Sequence, residues 1–141
     1  MTRFSSVVLV DRRGWILLQE RDEHPEIDPD RWGYCGGHLE EDEDFETGAY
    51  RELAEETGVE LDEGLRLFGE FQVFHQHSQT LDPYQLFVMS TDLTDDDIAC
   101  FEGRQILFVD PATIGDLPLT RAASESLPVF LASDVYEEML A

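Results

Sequence analysis

The sequence predicts an α+β protein built on a mixed β-sheet, and three observations predict it. Strand-like segments stand both before and after helical ones, without the regular alternation that builds a parallel sheet. A mid-chain stretch, 44–57, has helical spacing with an apolar stripe. With 141 residues, 42% of them hydrophobic, the chain can bury one sizeable core, so residues 1–141 are expected to form a single domain.

The elements follow in order. Phe4 to Val10 is apolar and rich in β-branched residues, Asp11-Arg12-Arg13-Gly14 turns the chain, and Trp15 to Leu18 resumes the apolar run, which is a hairpin signature. Residues 22–31 form a polar loop with two prolines. Trp32 to Cys35 reads as a short strand ending at Gly36-Gly37, where the glycines let the backbone turn tightly and a main-chain carbonyl approach a ligand. In the helix over 44–57, acids crowd the N-terminus, where the dipole favours them, and Phe45, Ala49 and Leu53 form the apolar stripe. Gly58 stands where a left-handed residue would end it. Leu65 to Phe74, Tyr84 to Thr91 and Gln105 to Val109 are strand-like. Asp110-Pro111 reads as a cap followed by Pro at the first helical position, and Arg121 to Leu131 as a closing helix.

Charge narrows the function classes. Nine basic residues against 32 acidic ones give a net charge of −23, and all nine are arginines. Such a field repels nucleic acid and anionic membranes and attracts divalent cations. A lysine-free acidic surface has two readings, adaptation to a salt-rich cytoplasm or codon drift from Lys to Arg, and composition does not separate them. No apolar run approaches the roughly 20 residues of a membrane span, and Val7–Val10 is too short for a signal-peptide core. The expectation is a soluble, cytoplasmic protein. Cys35 and Cys100 are too few for a disulfide scaffold and are expected as buried apolar thiols.

The chemistry concentrates in one segment. From Gly37 to Val59 the chain reads GHLEEDEDFETGAYRELAEETGV. Glu52, Glu55 and Glu56 fall at i, i+3 and i+4, so a helix places three carboxylates on one face. Unpaired, they repel; a divalent cation turns repulsion into ligation, and hard oxygen donors select Mg²⁺ or Mn²⁺. Arg51 stands four residues before Glu55 and can restrain a carboxylate bidentately.

This segment resembles the signature of the Nudix hydrolases at every fixed position: Gly37, Glu43, Arg51, Glu52, Leu53, Glu55, Glu56, Gly58 and Val59. The resemblance implies an α/β/α sandwich with a mixed sheet, the signature forming a catalytic loop-helix-loop. It also implies cleavage of a nucleoside diphosphate linked to another group, with Mg²⁺ or Mn²⁺ as cofactor. Glu52, Glu55 and Glu56 would supply metal ligands, joined by the Gly37 carbonyl. Glu43 would support the metal shell or brace the helix, and Arg51 would orient a catalytic glutamate. Glu52 is the first choice for the base that activates water. Glu102, in a downstream loop, is a possible additional base or ligand, against the plainer reading of an ordinary loop acid. Two departures from the common pattern, Cys35 where many members have proline and Gly48 where alanine is usual, touch no ligand.

Substrate is less legible. Phe74-His75-Gln76 and His77 stand where members that cleave ADP-ribose or dinucleoside polyphosphates carry proline and tyrosine markers. Arg21, Trp32 and Tyr84 are candidate substrate-binding residues, with Phe4 and Phe74 as further aromatic planes and Arg31 and Arg104 as further phosphate clamps. His38, His75 and His77 could contact phosphate or a leaving group, although a polar surface histidine is the plainer reading; a transition-metal pair of His75 and His77 lacks further ligands. The expected partner is a nucleotide or nucleotide derivative, and a homodimer is left open. The expected activity is hydrolysis of a nucleoside triphosphate or nucleoside-diphosphate derivative by water attack at phosphorus. The alternatives are a nucleotidase that sanitises damaged dNTPs and a non-catalytic nucleotide-sensing module.

Overall fold

The computed structural model describes residues 2–141. Its strands are β1 (Phe4–Val10), β2 (Ile16–Glu20), β3 (Trp32–Gly33), β4 (Cys35–His38), β5 (Arg66–His75), β6 (Thr80–Ser90) and β7 (Gln105–Val109). Its helices are α1 (Phe45–Thr57), α2 (Arg121–Leu131) and α3 (Asp134–Leu140). The class is α+β, as the sequence predicts.

The sheet is organised around β1. On one side β1 runs parallel to β6 for its whole length, from Phe4↔Tyr84 to Val10↔Ser90, and β6 pairs antiparallel with β5. On the other side β1 and β2 part almost at once: their antiparallel register holds at Val10↔Ile16, and β2 takes β7 as its full-length partner instead. Residues 32–38 fill the fork, pairing first with β2 through β3 and then with β1 through β4. The predicted hairpin therefore exists only at its base. The predicted strand 32–35 breaks at Tyr34 and resumes as β4, which runs through the two glycines instead of turning at them.

Side chains of β1 alternate between two cores. Val7 and Leu9 face α1 and pack in the cluster holding Ala49 and Leu53, whereas Val8 and Val10 pack with Leu127 and Phe130 of α2. Both faces are covered, so the strand reads as a continuous apolar run rather than an alternating one. Strand β6 starts four residues earlier than its composition suggests. Pro83 interrupts the pattern, yet it lies one residue outside the β1–β6 register. Helix α3, which the sequence reading did not separate from the closing helix, is capped by Ser133 and docks Tyr136, whose hydroxyl donates to the Gly14 carbonyl.

Helix α1 ends as read. The Asp44 side chain accepts from the Thr47 amide at 2.7 Å, and Gly58, at φ 76°, donates to the Ala54 carbonyl at 2.9 Å. Gly48 also has a reason: a Cβ there would collide with the Leu39 side chain and come within 3.1 Å of a Glu43 carboxylate oxygen. Gly36 is the more constrained. At φ 143° it occupies a region L residues rarely adopt, and a Cβ would strike the Ser5 carbonyl of β1. Gly36→Ala is expected to cost about 2–4 kcal/mol. Gly115→Ala, with open space around the added methyl, should stay within about 0.5 kcal/mol of the parent. Equal urea midpoints for the two variants would contradict the strand-fork account of Gly36.

Candidate active site

Three segments of the chain meet at Arg51. Its Nε and Nη2 donate to the two carboxylate oxygens of Glu43, each at 2.7 Å. Nη1 donates to Glu52 Oε1 and Glu55 Oε2, both at 3.1 Å, and Nη2 also reaches the His38 carbonyl at 3.1 Å. The bidentate partner is thus Glu43, not Glu55, which makes a single contact near the surface. Glu43 further accepts from the Glu40 amide at 3.1 Å. The Arg51 hydrogen bonds hold the Glu43 carboxyl down at about 2, against a small opposing push from burial.

The remaining helix acids face a pocket of about 380 Å³. Glu52, Glu56 and Glu102 line it together with Gly36, Gly37 and His38. A Cβ on Gly37 would meet the Glu52 carboxylate at 2.9 Å, so glycine is what lets strand and carboxylate approach. Glu56 is 3% exposed, and its Oε1 accepts the Gly36 amide at 3.0 Å. Burial first, then the neighbouring Glu102 carboxyl, pushes Glu56 up to about 10 in spite of that amide. Burial likewise raises Glu52. These are carboxylates crowded without enough compensation, and oxygen donors so crowded suit a hard divalent cation. Glu55 stands apart, turned to Arg51, and among the described residues no three His, Cys, Asp or Glu side chains are yet gathered tightly enough to hold an ion.

The candidate substrate residues separate. Arg21 lines the pocket, donates to the Ile27 carbonyl at 3.0 Å, and leaves a buried Nε without a partner. Tyr84 is 1% exposed, with its hydroxyl on the Ala122 carbonyl, so it forms floor and offers no free stacking plane. Trp32 packs against the α2-side core and is not among the residues lining the pocket. Arg104 is taken by Glu23 and Asp30, and Arg31 donates to the Leu119 carbonyl. Cys35 is buried as expected, but Cys100 is exposed. His75, read as a surface histidine, is 8% exposed and bonded to Asp82. Sequence reasoning missed that pairing, because seven residues and a turn separate the partners.

Fold and site together define a class: a mixed sheet between helices, with a glutamate-bearing helix presented to a pocket of about 380 Å³. The chain belongs to the Nudix family, whose NUDIX domain model matches residues 2–130. An mRNA-cap hydrolase of Bos taurus, m7GpppN-mRNA hydrolase NUDT17, is 39% identical over 59 residues; these are 42% of this chain and 20% of that protein. A mutT/nudix family protein from Listeria innocua matches 99% of this chain and 98% of its own, at 22% identity and a TM-score of 0.74. A bifunctional NMN adenylyltransferase/ADP ribose pyrophosphatase from Francisella tularensis, crystallised with AMP and a manganese ion, matches 98% of this chain and 42% of its own, at 19% identity and a TM-score of 0.76. No helix among the described residues is long and apolar enough to cross a membrane.

The depressed Glu43 carboxyl gives a pH test. A carboxyl lower in the folded state than in the unfolded one stabilises the fold above the unfolded value and loses that contribution as pH falls through the folded one. Glu43→Gln should lower stability at pH 7 by about 1–3 kcal/mol, and the deficit should shrink as pH drops from about 4.5 toward about 2. Urea midpoints of parent and variant that stay parallel across that window would refute the role given to the Arg51–Glu43 pair.

Proposed function

We propose that this chain is a divalent-cation-dependent pyrophosphohydrolase that cleaves a nucleoside triphosphate or a nucleoside-diphosphate derivative by water attack at phosphorus. One observation carries the reading: Glu52, Glu56 and Gly37 line the same pocket wall, with Arg51 and Glu43 clamped behind it. Glu52, Glu55, Glu56 and the Gly37 carbonyl would hold Mg²⁺, or Mn²⁺ in its place, and the bound ion supplies positive charge to the diphosphate oxygens. Family membership supports this cofactor, and so does the manganese ion in the Francisella neighbour.

Each protein group then has a task. Arg51 fixes the carboxylate of Glu52, and Glu43 fixes Arg51, so the helix face is oriented before substrate arrives. Glu52 takes the proton of the attacking water on a carboxylate oxygen, and Glu102, beside Glu56, is the second acid within the same space. Arg21 offers guanidinium donors to the phosphates. A charge of −23 favours a small nucleotide over capped RNA as the substrate, because a polyanion would meet repulsion everywhere outside the pocket.

A screen across nucleoside triphosphates, oxidised dGTP, nucleotide sugars and dinucleotides with Mg²⁺, with added pyrophosphatase or phosphatase converting released pyrophosphate or phosphomonoester to phosphate for detection, should find turnover in at least one class. On that substrate, Glu52→Gln and Glu56→Gln should each lower kcat by at least a hundredfold while circular dichroism stays unchanged. Activity within tenfold of the parent in both variants would remove the helix face from the chemistry.

Hydrolysis in ¹⁸O-water tests the bond that breaks. Attack at phosphorus places the label in a phosphate product. Label recovered solely on the released sugar or alcohol would mean attack at carbon.

A further inference from the structure

The pair formed by His75 and Asp82 takes part in no step above. His75 closes β5 and Asp82 lies near the start of β6, opposite Val73. They are 8% and 2% exposed, and His75 Nδ1 lies 2.7 Å from Asp82 Oδ2. The carboxylate has further donors: Oδ1 accepts the Thr2 amide at 2.9 Å, and Oδ2 accepts the Thr80 hydroxyl at 3.1 Å. Burial pushes Asp82 up, but these hydrogen bonds together with His75 outweigh it and hold the carboxyl below its ordinary range. An ionised carboxylate only accepts, so Nδ1 carries the hydrogen of this bond. A buried imidazole has two ring nitrogens to satisfy. This one uses Nδ1 alone: Nε2 has no protein partner among the described residues, and His75 lines the pocket.

Its place in the pocket says what it would meet. The Phe4 ring stands between His75 and His38, edge-on to both, with centroids 5.2 and 4.5 Å away. His38 directly follows Gly37, the glycine under the Glu52 carboxylate. The imidazole is therefore one aromatic ring beyond the carboxylate end. A diphosphate drawn to the carboxylates leaves its organic substituent along the Phe4–His75 side, where a polar atom held in place by Asp82 can set orientation.

We propose that His75 is a specificity-determining residue whose Nε2 hydrogen-bonds a hydroxyl or amino group on the organic part of the nucleotide substrate, with Asp82 as the residue that positions it. The inference rests on the reading that the pocket takes a nucleotide by its diphosphate. The chemistry shared by the two possible sources is an uncharged hydrogen-bonding group, and the sources are a sugar hydroxyl and a base amino group.

The test is NMR on the full chain labelled with ¹⁵N-histidine, titrated with AMP in the presence of Mg²⁺, with the His75 signals assigned from His75→Gln. The expected result is a saturable shift of His75 Nε2 that weakens with 2′-deoxy-AMP if the sugar is the source, or with IMP if the base amino group is. Kinetics on whichever substrate the screen identifies should show KM raised roughly tenfold in His75→Ala, the loss of about one hydrogen bond, with kcat within about threefold. His75→Gln, which keeps a polar group at that position, should restore KM to within about threefold. An Nε2 signal that stays fixed while other resonances saturate with AMP overturns the proposal, as does an unchanged KM in His75→Ala or a loss confined to kcat. Should His75→Ala not fold, the parent titration and His75→Gln still decide. Binding without turnover of any substrate would sink the hydrolase reading and leave this one standing, whereas turnover with an unmoved His75 would sink this one alone. No resonance responding to nucleotide would overturn both.

Discussion

The site depends on one guanidinium. Arg51 joins the loop before α1 through Glu43, the helix through Glu52 and Glu55, and strand β4 through the His38 carbonyl. It is the sole basic residue between Arg31 and Arg66, in a chain with 32 acids. Its planar fork explains why lysine would not serve: two parallel bonds to Glu43 fix its plane, and the remaining donors then point at fixed places. Remove it, and Glu43, Glu52 and Glu55 face one another across a few ångströms with nothing between them.

The second constraint is the fork between β1 and β2. Because the two strands part after one register pair, a wedge of chain must enter, and residues 32–38 fill it. The wedge brings Gly36 and Gly37 under the N-terminal strand on one side and against α1 on the other. Lacking Cβ atoms, they let the Ser5 carbonyl and the Glu52 carboxylate come close. The Gly36 amide is then free to donate to Glu56, which would otherwise be a buried acid with no backbone support. Sheet topology and site chemistry are thus settled by the same two residues.

How much of this the sequence makes legible follows from the range of the interaction. The span of α1, its Gly58 cap and its apolar stripe rest on contacts within four residues, and the structure keeps them, with Asp44 serving as the N-cap just outside the helix. The spacing of Glu52, Glu55 and Glu56 is local too, but it does not say that Arg51 swings Glu55 away from the pocket, because that depends on Glu43 claiming the other side of the fork. The hairpin over 4–18 misleads for a similar reason: local turn chemistry predicts the turn, and pairing with β6 and β7 from far along the chain decides how long the two strands stay together. Trp32 and Tyr84 have the right composition for a nucleotide plane, and tertiary packing turns one onto the core and buries the other. The His75–Asp82 bond crosses a β-turn and leaves no periodic trace.

The acid end of the pocket shows what such a site demands of the fold. Glu56 is placed where burial disfavours its charge, beside Glu102 and near Glu52, whose charges oppose it further. A fold selected for stability alone would fill that position with an apolar side chain or give the carboxylate a cationic partner. Here the available cation, Arg51, is committed to Glu43, Glu52 and Glu55 and does not reach Glu56. The acid end is therefore left for a proton or an added cation to balance, and the same pocket is also lined by Arg21, His75 and the Phe4 and Tyr84 rings. On the function proposed above, the phosphates and their counter-ions would lie at the glutamates and Arg21, and the uncharged part of the nucleotide toward the rings. The disfavoured charge of Glu56 is thus a local cost of the acid end, and the two cores flanking the sheet are what allow the protein to tolerate it.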